Sequence, residues 1–143
     1  MKILHIINDL RAGGAEKLIE EMVPLMASYE DINIEVLILA RKNNVFGKKL
    51  KANSIKITSL TKNSIKSPFN VFKILRYIKN NKFDIVHVHL FPALYWTSLA
   101  SRLFFKRKYK LVYTEHSTNN KRRNIKIFRT IEKLIYSSYD KVI

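Results

Sequence analysis

The sequence predicts an α/β fold, a parallel β-sheet with helices packed on both of its faces. Short apolar runs alternate with amphipathic helical segments along the whole chain. The runs are near-continuous in Ile, Val and Leu, as strands covered on both faces are. No internal repeat or low-complexity linker breaks the alternation, and 143 residues are enough for one domain with a real core.

The first strand is expected at 2–8 (KILHIIN), followed by a short loop holding Gly13 and Gly14. A helix over 15–29 follows, with Leu18, Ile19, Met22, Val23, Leu25 and Met26 as a wide apolar face and with Pro24 bending or shortening it. The second strand is 33–40. Residues 41–52 are polar and read as a loop with a weak helical turn, 55–58 as a short third strand, and 61–67 as a basic loop closed by Pro68. Pro68 starts a helix through residue 80 that buries Val71, Phe72, Ile74, Leu75 and Ile78 and exposes Lys73, Arg76 and Lys79. The fourth strand, 84–89, contains His87 and His89. An apolar helix over 93–105 carries Trp96, and 110–114 is the fifth strand. The helix over 124–138 turns Ile125, Phe128, Ile131 and Ile135 inward and Lys126, Arg129 and Lys133 outward, and residues 140–143 begin a sixth strand.

In such sheets a ligand lies beyond the carboxyl ends of the strands. Those ends carry Gly13 and Gly14 after the first strand, His89 after the fourth, and Glu115 and His116 after the fifth. A glycine turn feeding a helix N-terminus favours a phosphate, because glycine admits close backbone approach and the first helical N–H groups are free. The loop lacks the G-x-G-x-x-G and Gly-Lys-Ser/Thr patterns, and a lone Gly-Gly is more often a tight turn. The convergence of three segments on one edge carries the functional argument.

His87 and His89 point to one side of their strand, since side chains alternate. His87 reads as a hydrogen-bonded core histidine and His89 as a ligand contact. A zinc site is not supported, with no H-E-x-x-H and no third histidine on that strand. His116 lies in a polar turn, suited to hydrogen-bonding a hydroxyl or phosphate or to relaying a proton. Glu115 either contacts a ligand or anchors the loop.

The net charge of +16 is unevenly placed: residues 1–40 sum to −4 and residues 41–143 to +20. Arg102, Lys106, Arg107 and Lys108, beside Phe104 and Phe105, suggest a patch for an anionic membrane or another polyanion, electrostatic only if the two phenylalanines are core. Lys121, Arg122 and Arg123 extend the basic character. No nucleic-acid-binding motif accompanies it, which weighs against nucleic acid. Without cysteine there is no disulfide framework or thiolate metal site. No apolar run approaches the ~20 residues of a spanning helix, and the N-terminal stretch does not resemble a signal peptide. A cytoplasmic protein is expected, with peripheral attachment at the inner face of the membrane as a further possibility.

The order of GGAEK, FDIVHVHL, YTEHS and YDKVI resembles the N-terminal, acceptor-side domain of family 4 glycosyltransferases with the GT-B fold, over essentially the whole chain. The resemblance implies one Rossmann-like half of a two-domain architecture. The other half would bind a nucleotide-sugar donor, which is a co-substrate, and no cofactor or catalytic metal is implied. It implies that Gly13 and Gly14 face the donor phosphates, that His116 lies near the transferred sugar as the catalytic candidate, and that His89 lines the acceptor side together with Glu115. A retaining transfer to a glycan or lipid-linked acceptor in bacterial surface polysaccharide synthesis is the implied activity. The 143 residues are expected to stop before the donor-binding C-terminal domain and to be inactive alone. The alternative is a non-enzymatic basic module for anionic membrane or nucleic acid.

Overall fold

Apolar runs with no polar face have to be covered on both sides, and the computed structural model shows how. It describes residues 1–41, 45–62, 64–104, 107–116 and 126–143, the side chains of 126–129 excepted. The elements are β1 (Lys2–Ile7), α1 (Gly14–Ala27), β2 (Asn33–Ala40), α2 (Gly47–Ala52), β3 (Lys56–Thr61), α3 (Asn70–Asn81), β4 (Ile85–His89), α4 (Ala93–Arg102), β5 (Lys110–Thr114), α5 (Lys126–Tyr136) and β6 (Lys141–Val142). The strands form one parallel sheet in the order β3-β2-β1-β4-β5-β6, the Rossmann-like arrangement that the alternation predicts.

The two sides of the sheet are distinct. Leu4 and Ile6 of β1, Leu37 and Leu39 of β2, and Val86 and Val88 of β4 pack against α3, α4 and α5. Ile3 and Ile7, with Ile34, Val36 and Ile38, pack against α1 and α2. The order reverses between β1 and β4, because β2 and β4 both pair with β1. That switch point opens a crevice at the carboxyl edge. Asn8 ties it together: its Nδ2 donates to the Phe91 carbonyl at 2.6 Å, and its Oδ1 accepts from the Ala93 N–H at 3.1 Å.

Several details differ from the sequence reading. The helical turn expected within 41–52 is a short helix over residues 47–52, and β3 runs on past Thr58 through Ser59, Leu60 and Thr61 as an edge strand paired only with β2. Pro24 lies inside α1, which continues to Ala27. The buried stripe of α1 is Ala15, Ile19 and Val23, and Leu18 (42% exposed) and Leu25 (69%) lie off it. Phe72 is exposed, since at 3.6 residues per turn it sits about 160° from the buried Ile74. On α5 the buried positions include Glu132 and Ile135, whereas Ile131 is exposed. The expected inward Ile125 and Phe128 and outward Lys126 and Arg129 fall outside the described side chains.

Candidate active site at the carboxyl edge of the sheet

The glycine loop leads from β1 into α1. Gly13 is the N-cap, in an extended conformation (φ −172°, ψ 163°) open to any residue. A Cβ there would stand 2.3 Å from Glu16 Oε2, the movable end of a side chain that would have to swing aside. A Cβ on Gly14 would meet nothing within 4 Å, so the fold itself does not demand glycine at that position. Both glycines are exposed, beside a cleft of about 490 Å³ lined by Arg11, Ala12, Glu16 and Val45. Asp9 is buried, and its Oδ1 accepts from the backbone N–H of Arg11 at 3.1 Å and from Arg11 Nε at 2.9 Å. Burial, followed by the neighbouring Asp9, pushes the Glu16 carboxyl above its ordinary range.

The histidines form a connected group. His87 and His89 share the α1-side face of β4, as alternation predicts, because Val86 and Val88 occupy the other face. The sequence reading did not include His5, which lies on β1 in register with His87. His5 Nδ1 lies 3.1 Å from His89 Nε2, and His89 Nδ1 lies 3.0 Å from His116 Nε2. His87 Nε2 pairs with Thr114 Oγ1 at 2.7 Å, consistent with a hydrogen-bonded histidine. His5 and His89 are fully buried and His116 is half-buried. His89 is therefore not a surface contact for an acceptor; its two ring nitrogens face two other histidines. Had the β1–β4 adjacency been known, a histidine in the middle of an apolar first strand would have been the signal.

All four rings are biased to the neutral form. Burial, then His87, lowers His5 to about 3; burial, then His116, lowers His87 to about 4. Burial and its three histidine neighbours hold His89 well below the usual range, and burial lowers His116. One nitrogen each of His5, His87 and His89 lies within 4.8 Å of the others, a donor set that the single-strand view of the zinc question did not contain. The 3.1 Å nitrogen pair is itself at hydrogen-bond distance. Glu115 is half-buried, and its backbone N–H donates to the Ile143 carbonyl at 2.9 Å, which anchors the turn.

The expected basic patch is largely redirected. Arg102 donates through Nη2 to the Leu134 carbonyl and, at 2.8 Å, to Ser137 Oγ. Arg107 donates to the Ser138 carbonyl at 2.8 Å and pairs with Asp140 at 2.7 Å. These two arginines fasten the end of α5 to α4 and β6. Lys108 is exposed beside a cleft of about 460 Å³ that it lines with Lys79, Lys82 and Tyr109, and Lys106 and Phe105 lie outside the described residues. Phe104 packs against the core, edge-on to Tyr109. The exposed basic–aromatic surface is on and beside α3, where Phe69 (67% exposed) and Phe72 (61%) accompany Lys73, Arg76 and Lys79.

Comparison with known proteins agrees with this architecture. A 41.2 kDa protein of undescribed function from the cps region of Klebsiella pneumoniae is 26% identical over 150 residues, an alignment covering all of this chain and 39% of that protein. The apo lipopolysaccharide outer core galactosyltransferase WaaB matches with a TM-score of 0.72 and 20% identity, over 99% of this chain and 38% of that one. Anabaena HepE in complex with UDP matches with a TM-score of 0.71 and 20% identity, over 99% and 37%. This chain thus spans under two-fifths of the length of each. At this identity the structural likeness establishes the fold. The family model for Glycosyltransferase Family 4 matches residues 12–143, nearly the whole sequence, and the chain belongs to that family.

Proposed function

We propose that these residues form the acceptor-side half of a retaining glycosyltransferase, which moves a sugar from a nucleotide-sugar to a glycan or lipid-linked acceptor in surface polysaccharide synthesis. The observation that carries this reading is the convergence of the glycine loop after β1 and His116 after β5 on the carboxyl edge of a family 4 sheet. The UDP bound to the Anabaena neighbour supports a nucleotide-sugar as donor, and the cps region of the Klebsiella relative supports a polysaccharide product. In this reading a second, donor-binding half supplies most of the nucleotide contacts. Gly14 leaves room for the donor phosphates at the start of α1, and His116 hydrogen-bonds the transferring sugar. Glu115 holds the turn that presents His116. No cofactor takes part. A peripheral seat on an anionic membrane is supported by Phe69 and Phe72 among the cations of α3, which has no acidic residue. Among the described residues no helix is long and apolar enough to cross a membrane.

The test is transfer of labelled sugar from UDP-sugars to a lipid or glycan extract. The 143-residue chain alone should give no turnover, and the chain joined to a family 4 donor-binding half should give turnover that needs His116. Robust turnover by the chain alone contradicts the two-half reading. Salt-sensitive nucleic-acid binding without any transfer by the joined protein would favour the basic-module alternative.

A further inference from the structure

Three imidazoles in series form a directional chain. A neutral imidazole has one N–H and one bare nitrogen, so each ring must donate at one end and accept at the other. The contacts His5 Nδ1···His89 Nε2 and His89 Nδ1···His116 Nε2 leave two self-consistent arrangements. In one, every Nδ1 carries the hydrogen: His5 donates to His89, and His89 donates to His116. In the other, every Nε2 carries it and the chain runs the opposite way.

The inner terminus decides between them. His5 Nε2 is completely buried and has no hydrogen-bond partner among the described residues. The neighbouring His87 ring is tilted by 40°, with centroids 5.0 Å apart, and so does not offer its face to an N–H as a perpendicular ring would. In the second arrangement this nitrogen is a buried N–H donating to nothing. In the first it is a bare nitrogen lacking only a donor. Orphaned buried N–H groups are the rarer of the two defects in folded proteins.

We propose that His5 and His89 are positioning residues that hold neutral His116 with Nε2 bare and Nδ1 carrying the hydrogen, so that His116 meets its ligand as a hydrogen-bond donor. The ring nitrogen that could have served as a base is occupied by the His89 N–H. The group it selects is an acceptor oxygen, such as a sugar hydroxyl oxygen or a phosphoryl oxygen. What that donor does for a sugar rests on the glycosyltransferase reading, whereas its assignment does not. The burial that keeps the rings neutral supports the chain, because a protonated member would have two N–H groups and break the alternation.

The experiment is the long-range ¹H–¹⁵N spectrum of the ¹⁵N-histidine-labelled 143-residue chain at pH 7.5, which separates protonated from bare ring nitrogens. His116 should show a protonated Nδ1 and a bare Nε2, with the same pattern in His89 and His5. In His5→Gln, whose amide can either donate or accept, the polarity should be released and His116 should show both forms. A wild-type His116 protonated at Nε2 would overturn the proposal, and so would a His116 pattern unchanged in folded His5→Gln. The spectrum requires neither sugar nor turnover. A failed transfer assay therefore leaves it standing, and a reversed spectrum leaves the transferase reading standing.

Discussion

The buried histidines should make this fold acid-labile well above the carboxylate range. Burial, then His87, places His5 at about 3, and burial, then His116, places His87 at about 4, against 6.5 for an ordinary histidine. The unfolded chain therefore binds more protons than the folded one between roughly pH 6.5 and 4, and stability falls as pH falls through that window. From pH 7.5 to pH 5 the linkage relation gives about 2 kcal/mol lost for each of the two residues. His89 and His116 shift in the same direction and add to the loss. A total of about 4 kcal/mol or more is a large share of the 5–15 kcal/mol typical of a domain.

Other groups separate cleanly from this effect. Burial raises the Glu35 carboxyl, but hydrogen bonds from Tyr77, Lys2 and Lys56 outweigh it and hold the group below 4.5, so its stabilisation is lost only at lower pH. Glu16, raised by burial, acts in the opposite sense, stabilising as pH falls. The assay is urea unfolding followed by circular dichroism and Trp96 fluorescence at half-unit steps from pH 7.5 to 5. His5→Leu should remove about one proton from the slope, up to about 1.4 kcal/mol per pH unit. A wild-type stability that is flat from pH 7 to 5, or an unchanged slope in folded His5→Leu, refutes the reasoning.

Four further outcomes are expected. Replacing His116 by Ala in the chain joined to a family 4 donor-binding half should lower turnover by about 10²–10³-fold, the usual cost of one positioned hydrogen-bond donor, with the urea midpoint little changed; near-normal turnover would reduce His116 to a loop residue. Gly14→Val should leave the fold intact, because its Cβ enters open space, yet reduce turnover strongly by obstructing donor phosphates, and unchanged kinetics would count against that role. Arg107→Ala should destabilise by about 1–3 kcal/mol, since it strips charge-assisted bonds from the Ser138 carbonyl and Asp140; an unshifted melting curve would contradict this. Neutralising Lys73, Arg76 and Lys79 should weaken co-sedimentation with anionic vesicles by about 3 kcal/mol at low salt, more than neutralising Arg102, Lys106, Arg107 and Lys108, and equal losses would put the patch back at 102–108.

The legible parts of the fold were those governed by local pattern. Near-continuous apolar runs gave β2 and β5 at their observed limits and the rest to within a few residues, because strands covered on both faces are dominated by apolar side chains. Helix faces were legible only at their centres. Leu18, Leu25 and Phe72 are apolar residues outside the buried stripe, and hydrophobicity alone does not say how wide a stripe a sheet covers. The site was legible as an edge, since strand-end residues follow from a parallel topology. It was not legible as a network. His5 meets His87 and His89 only because the sheet order places β1 against β4, across more than eighty residues of sequence. Arg102 and Arg107 were legible as charge but not as fasteners, because their acceptors are main-chain carbonyls at the end of a later helix.

The charge distribution around the glycine loop then takes on a specific meaning. The loop stands in the acidic first part of the chain, with Asp9 and Glu16 beside the start of α1 and Arg11 bound to Asp9. The Glu16 carboxylate folds back over position 13, where a side chain would have to displace it. A donor phosphate arriving here gains the first N–H groups of α1 but meets Glu16, so this half alone is a poor phosphate trap. The +20 carried by residues 41–143 attracts anions toward the molecule as a whole, but screening limits that pull to about 8–10 Å at ordinary salt. Attraction and grip are thus assigned to different places. In the proposed reading the basic later segments would draw a polyanion or anionic surface in, and the glycine loop would contribute clearance more than charge. This division agrees with the proposal that the nucleotide is held mainly by a second half and that Gly14 leaves room for the donor.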